Sequence, residues 1–75
     1  MTTTTTLTYS QLLDFINDTR RLGLTNVENQ LLAIQQTMTN LGAVKVNITR
    51  TYDNNGVVTN VTTNWYELSD GRRIY

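Results

Sequence analysis

The chain of 75 residues contains no cysteine, no histidine and no proline. Without cysteine there is no disulfide and no thiolate metal site, and without histidine the commonest metal ligand is missing. These absences also remove the usual nucleophile and the usual general base of catalysis at neutral pH. We therefore expect a protein that is not an enzyme, with no catalytic residue, no metal site and no cofactor.

Charge is scarce as well, because six basic and six acidic residues cancel to a net charge of zero. A neutral protein has no strong field to attract nucleic-acid phosphates or an anionic membrane. No apolar run approaches the roughly 18 residues of a membrane-spanning helix. The first ten residues, MTTTTTLTYS, also lack the basic and apolar regions of a signal peptide. We therefore expect a cytoplasmic protein with no membrane partner.

The few carboxylates have structural explanations. Asp53 and Asp70 lie in sequences typical of turns, and Glu28 has the position of a helix-capping residue. Asp14 and Asp18 are four residues apart on the outer face of a predicted helix, where a shared cation is conceivable. We interpret them as two solvated carboxylates.

The N-terminal segment Thr2–Thr6 is a run of five threonines. Such a low-complexity start is typical of a frayed tail, although β-branched residues can also add an edge strand to a sheet or to a partner. Of these two interpretations we favour the tail. Residues 1–7 are then a Thr-rich N-terminal tail, and residues 8–75 form a single small domain.

The first predicted helix begins after Thr8, which forms the Thr-x-x-Gln pattern of a capping box with Gln11. Apolar residues then recur at helical spacing from Leu12 to Leu22. Gly23 is the kind of residue that commonly ends a helix. The helix is therefore predicted from about Tyr9 to Leu22.

A second helix is predicted from a second capping box, Thr25–Glu28, to Gly42. Its apolar residues alternate steps of four and three: Val27, Leu31, Ile34, Met38 and Leu41. This heptad stripe is too short to argue for a coiled coil, so we expect it to pack on a sheet and on the first helix. The short link between the helices predicts a helical hairpin.

Strand periodicity follows from Val44 to Tyr52, where apolar and polar residues alternate. The sequence Asp53–Gly56, DNNG, is typical of a hairpin turn. A four-residue loop would place Tyr52 opposite Val57. Continued along the strands, this register pairs Ile48 with Val61, Val46 with Thr63 and Val44 with Trp65, which gathers the apolar residues on one face.

A second hairpin is predicted around Ser69–Gly71, which would pair Glu67 with Arg73 and Trp65 with Tyr75. The predicted fold is therefore α+β, with a two-helix hairpin followed by a three-stranded antiparallel β-meander in two layers.

In this fold the helices should cover one apolar face of the sheet, formed by Val44, Val46, Ile48, Val57, Val61 and Trp65. The opposite face would be polar in its middle but apolar at one corner, which holds Ala43, Tyr66, Leu68 and Ile74. Two layers leave that corner uncovered, so it is a candidate contact surface. The predicted protein interface comprises Tyr66, Leu68, Arg72, Ile74 and Tyr75.

A second candidate surface combines basic and aromatic residues, as in sheets that stack on nucleic-acid bases. Its basic members are Lys45, Arg50, Arg72 and Arg73, beside Trp65, Tyr66 and Tyr75. The neutral net charge argues against this interpretation. Binding of a nucleic acid, a nucleotide or a small ligand stays open as the alternative.

A chain of this size buries only about 60–65% of its unfolded surface. Since disulfides and metals are excluded, self-association is the remaining way to add stability, and we expect a homo-oligomer. The leading hypothesis is a small non-enzymatic interaction protein that binds itself, a protein partner or both. An inhibitor, an adaptor or an assembly subunit would fit. Phages and other mobile elements often encode accessory proteins of this general type, which would act in the host cytoplasm.

Overall fold

Two helices packed on one face of an antiparallel sheet make up the structure, a computed structural model that describes all 75 residues. In chain order the elements are β1 (Thr2–Thr8), α1 (Tyr9–Arg21), α2 (Thr25–Leu41), β2 (Ala43–Tyr52), β3 (Val58–Leu68) and β4 (Arg73–Ile74). The order of strands in the sheet is β1-β2-β3-β4. The predicted α+β class and the helical hairpin followed by an antiparallel meander are confirmed.

The threonine-rich segment is an edge strand, so the predicted N-terminal tail is wrong. β1 pairs with β2 over its whole length, from Thr2 opposite Thr51 to Thr8 opposite Lys45, without a shift of register. Leu7 is buried in the hydrophobic core, on the side of the sheet that α1 covers. Threonine suits a strand because its branched side chain packs on a pleated surface, and burial of Leu7 holds the segment in place.

α1 begins as its sequence predicts. The Thr8 hydroxyl accepts a hydrogen bond from the Gln11 backbone N–H at 3.2 Å, and the Gln11 side chain accepts one from the Thr8 N–H at 2.9 Å. Thr19 is buried in this helix, and its hydroxyl donates to the Ile16 carbonyl at 2.8 Å. The buried polar group is thus satisfied, as a packed interior requires.

α2 lacks the capping box that its sequence suggests. The helix starts at Thr25 itself, and the residue before it, Leu24, makes no capping hydrogen bond with its side chain. The helix therefore begins one residue earlier than predicted, and Leu24 packs against the core. Glu28 forms an ion pair with Arg20 of α1 at 2.8 Å instead of capping the helix. The C-terminus of α2 agrees with expectation, since Gly42 has a left-handed φ of 67°.

The heptad stripe of α2 forms the centre of the core, as predicted. Its buried members are Val27, Leu31, Ile34 and Met38. Together with residues of α1, β1, β2 and β3 they make one cluster of buried apolar side chains. Leu41, the last residue of the stripe, is exposed.

The DNNG turn is one residue shorter than predicted. The Asp53 N–H donates to the Val57 carbonyl at 2.9 Å, so these two residues already belong to the ladder and Asn54–Gly56 is the loop. The Asp53 carboxylate accepts hydrogen bonds from the backbone N–H groups of Asn55 and Val57, at 2.8 and 3.0 Å. These bonds hold the three-residue loop, and Tyr52 therefore lies opposite Val58 rather than Val57.

Three irregularities then set the register between β2 and β3. Thr59 and Asn64 are extra residues on β3, and Val44 is an extra residue on β2. Each is a β-bulge, which moves the following side chains to the other face. Ile48 consequently lies opposite Thr63, Val46 opposite Tyr66 and Ala43 opposite Leu68, so the predicted regular register is wrong.

The bulges exchange the two faces near the end of β3. Tyr66 and Leu68, predicted on the outer face, pack against the core on the side of the helices. Ile74 is paired with Tyr66 and shares that side. Trp65 lies on the outer face instead, and Val44 is 41% exposed. The apolar outer corner that a regular meander predicts is therefore absent.

Because the N-terminal segment is a strand with Leu7 in the core, we expect Leu7→Ala to destabilise the protein strongly. Leu7 is only 6% exposed, so we expect the free energy of unfolding to fall by about 2–5 kcal/mol. Urea denaturation followed by circular dichroism measures this change. Leu22→Ala is the matched control, because Leu22 is 69% exposed and should change stability by less than about 0.5 kcal/mol. Equal, small effects of both substitutions would show that the segment is a tail after all.

Candidate interaction surfaces

The outer face of the sheet carries a hydrogen-bonded network of neutral side chains. Asn64, a bulge residue of β3, donates through Nδ2 to Asn47 Oδ1 and to Thr49 Oγ1, both at 2.9 Å. Asn47 in turn donates to the Thr6 hydroxyl at 2.9 Å, and the hydroxyls of Thr49 and Thr4 lie 3.2 Å apart. The network joins β1, β2 and β3, and it makes the middle of this face polar and uncharged.

One end of the same face holds Trp65 and the charged residues around it. The guanidinium of Arg73 lies 4.0 Å from the centre of the Trp65 ring. Glu67 lies between two cations, 3.8 Å from Arg73 and 3.9 Å from Lys45. The predicted pairing of Glu67 with Arg73 is confirmed, whereas Trp65 has no strand partner in Tyr75. Since Arg73 covers its ring, Trp65 offers little surface for stacking on a base.

The four basic residues of the possible nucleic-acid surface do not come together. Lys45 and Arg73 share Glu67, while Arg72 pairs with Asp70 at 2.7 Å. Arg50 packs under the sheet, against Phe15 of α1. Basic side chains that carboxylates already neutralise attract phosphates only weakly.

Asp70 itself belongs to the turn between β3 and β4. The backbone N–H of Arg72 donates to its carboxylate at 3.1 Å, and the Arg72 guanidinium adds a second bond at 2.7 Å. The backbone bond is the main reason that the pKa of Asp70 lies below its usual value. Turn formation therefore explains this carboxylate, as its sequence predicts.

The predicted protein interface is divided into two groups by the structure. Tyr66, Leu68 and Ile74 are half-buried on the side of the helices. Arg72 and Tyr75 are exposed at the end of the chain, and Tyr75 is 86% exposed. A contact surface formed by all five residues stays a prediction. Because its three apolar members are half-buried against the core, they expose less apolar area than they would in the predicted outer corner.

The edge of the sheet formed by β3 and β4 is irregular and partly covered. β4 protects only two residues of β3, Tyr66 and Glu67. Further along, Gln30 of α2 accepts a hydrogen bond from the backbone N–H of Val61 at 2.8 Å and donates to the Asn60 side chain. The two bulges of β3 also interrupt its regular row of donors and acceptors. Such features prevent another strand from adding to an edge.

The opposite edge, β1, has none of these features. It contains no charged residue, no proline and no bulge over Thr2–Thr8. Met1 and Tyr52 exchange backbone hydrogen bonds across the ladder. Because hydrogen-bonded and non-hydrogen-bonded pairs alternate in an antiparallel ladder, every second residue from Thr2 onwards directs its N–H and C=O groups away from β2. The outward groups are those of Thr2, Thr4 and Thr6. The sequence indicates this edge only as the alternative to a tail, through its run of β-branched residues.

Two clefts lie at the end of the molecule that carries the β2–β3 turn. One, of about 460 Å³, lies between the segment Gly23–Val27 and the hairpin residues Asp53 and Val57–Thr59. The other, of about 270 Å³, lies between α1 and the same hairpin and includes Arg50. Neither was expected from the sequence, because each depends on how the turn packs against the helices.

No family model, curated protein or solved structure matches this chain. Neither helix has the length and apolarity needed to cross a membrane. No three acidic side chains lie close enough together to hold a metal ion.

The outer-face network predicts a stabilising role for an exposed residue. Asn64→Ala removes two hydrogen bonds of 2.9 Å, and we expect it to lower the free energy of unfolding by about 1 kcal/mol. Asn55→Ala is the control, since the Asn55 side chain makes no hydrogen bond and only its backbone N–H is engaged. Chemical denaturation of both variants measures the difference. If Asn64→Ala costs no more than Asn55→Ala, the network adds nothing to stability.

Proposed function

We propose that this chain is a non-enzymatic interaction protein that binds through the edge of β1, with a second copy of itself as partner. The observation that carries the proposal is the difference between the two edges of the sheet. One edge is interrupted by bulges and covered by Gln30 and β4, whereas the other is a regular, uncharged strand. Unpaired backbone groups in a row are a template for another strand.

A two-fold axis beside Thr4 would bring two β1 strands together in antiparallel orientation. Thr4 then faces Thr4 of the second copy, and Thr2 faces Thr6 in each direction. The three pairs use the N–H and C=O groups that point away from β2. The two sheets become one sheet of eight strands, and the polar network continues across the junction.

The composition of β1 favours pairing with β1 of a second copy over pairing with an unrelated strand. Because residues 2–6 are all threonine, every antiparallel alignment within this run places threonine opposite threonine. Cross-strand threonine pairs are favourable, and no charge is buried or repelled. The covered second edge stops further addition, so the assembly closes as a dimer instead of growing into a fibre.

The small size of the domain supports self-association. Its core consists of eleven buried apolar residues, which is little for a chain without disulfides or metal. Association adds stability because it lowers the free energy of the folded state only. We place the protein in the cytoplasm. A role as inhibitor or adaptor, encoded by a phage or another mobile element, would use the same edge to pair with a strand of its target.

Thr4→Pro tests the proposal directly. Proline removes the outward N–H of Thr4 and places its ring in the path of the second strand, while the ladder to β2 does not use that N–H. Thr4→Val is the matched control, because valine keeps the N–H and the branched shape. We expect wild type and Thr4→Val to be dimers and Thr4→Pro to be a folded monomer in native mass spectrometry at micromolar concentration.

A monomeric wild type would overturn the proposal, as would a Thr4→Pro dimer. Circular dichroism on Thr4→Pro confirms that the fold is kept. Salt provides a further check, since an interface of backbone hydrogen bonds and neutral side chains should be nearly insensitive to ionic strength. Steep loss of the dimer with added salt would indicate an interface between charged surfaces.

A further inference from the structure

Arg50 is the single basic side chain without an acidic partner. The other five cations each lie within 4.0 Å of a carboxylate, in five ion pairs that join them to Glu28, Asp18, Glu67 and Asp70. Arg50 is also partly buried, unlike most of these pairs. An arginine withdrawn from water without a carboxylate beside it is costly, and it is uncommon in a folded protein.

The contacts of Arg50 leave part of its guanidinium unsatisfied. Its central carbon lies 4.6 Å from the Phe15 ring, which offsets some of the cost through a cation–π contact. One terminal nitrogen donates to the Tyr52 hydroxyl at 3.5 Å, a long hydrogen bond. Nε is buried and has no hydrogen-bond partner at all. Buried donors in folded proteins almost always have an acceptor, and this one has none within the chain.

The surroundings of this guanidinium are apolar. The cleft of about 270 Å³ that Arg50 lines is walled by Phe15, Leu22, Leu24, Tyr52, Val57 and Val58. Leu22 and Val57 are exposed, although both are apolar. The cleft therefore combines one uncompensated positive charge with an apolar wall that is open to solvent.

Asp18 is the one acidic residue that lines this cleft. Its carboxylate makes an ion pair with Arg21 at 2.5 Å and none with Arg50. Both members of that pair are well exposed, so water screens the repulsion that Asp18 would exert on an anion. The charge that remains for a ligand is that of Arg50.

We propose that the cleft binds a small amphipathic carboxylate, a molecule with one anionic head and an apolar body. The carboxylate receives hydrogen bonds from the Arg50 guanidinium, whose planar fork matches two carboxylate oxygens. The apolar body packs on the wall formed by α1 and the β2–β3 hairpin. The volume is just below the usual range of about 300–1,000 Å³ for ligand sites, which selects a short chain or a single ring. This inference is independent of pairing through β1.

Octanoate is the probe, followed by ¹⁵N-resolved NMR of the backbone amides and by thermal denaturation. We expect saturable shifts confined to the residues around the cleft, and a rise of Tm with octanoate concentration. Octan-1-ol, which has the same chain without the charge, should bind at least about tenfold more weakly, because it forgoes the charge-assisted bonds.

Two substitutions isolate the role of Arg50. Arg50→Met keeps the apolar stem and removes the charge, and we expect octanoate binding to weaken at least about tenfold. Arg73→Met is the matched control: it removes an arginine that also stacks on an aromatic ring, on the outer face, and should leave binding unchanged. Arg50→Lys keeps the positive charge but loses the planar fork of the guanidinium, so its affinity for octanoate should be intermediate. If Arg50→Met does not fold, Arg50→Lys takes its place in the test.

The absence of saturable shifts at millimolar octanoate would overturn the proposal, as would equal binding by wild type and Arg50→Met. Equal affinity for octanoate and octan-1-ol would show an apolar cleft without a carboxylate site, which also contradicts it. The dimer proposal is tested separately, because Thr4→Pro should bind octanoate as wild type does.

Discussion

The register between β2 and β3 decides on which side of the sheet each side chain of the hairpin lies. The Asp53 carboxylate holds a three-residue loop, and a regular ladder from that loop would mix apolar and polar residues on both faces. Bulges at Thr59, Asn64 and Val44 restore an apolar inner face. The core, the polar outer face and the shape of both clefts all depend on these three single-residue shifts.

The same bulges give the two edges of the sheet different properties. Irregularity on β3 frees the Val61 N–H from the ladder, and Gln30 of α2 binds it, so that edge is covered by the helix that fills the core. β1 has no such irregularity, because its threonines alternate regularly against β2. Core packing and the availability of an edge for association are therefore two results of one arrangement of strands.

The basic side chains fall into two groups: those that form ion pairs with carboxylates, and Arg50, which forms none. Five of the six cations are neutralised by nearby carboxylates, on the same helix, across the helical hairpin, within a turn or across neighbouring strands. A neutral protein with paired charges has little long-range attraction for polyanions, which weighs against nucleic acid as its partner. Arg50 differs because the regular alternation of β2 places it on the inner side of the sheet with Val46 and Ile48, where Phe15 is its neighbour and no carboxylate forms an ion pair with it.

The sequence by itself determined the features that depend on nearby residues: the α+β class, the two helices, the capping box of Thr8 and Gln11, the left-handed end at Gly42 and the buried stripe of α2. Local patterns suffice there because the interacting groups are a few residues apart. The tertiary structure alone decided that residues 2–8 form a strand, that Trp65 and Tyr66 exchange faces relative to a regular hairpin, and that Arg50 lines a cleft. These features depend on bulges and on contacts between distant segments, and a bulge leaves no distinct pattern in the sequence because it changes pairing by a single residue.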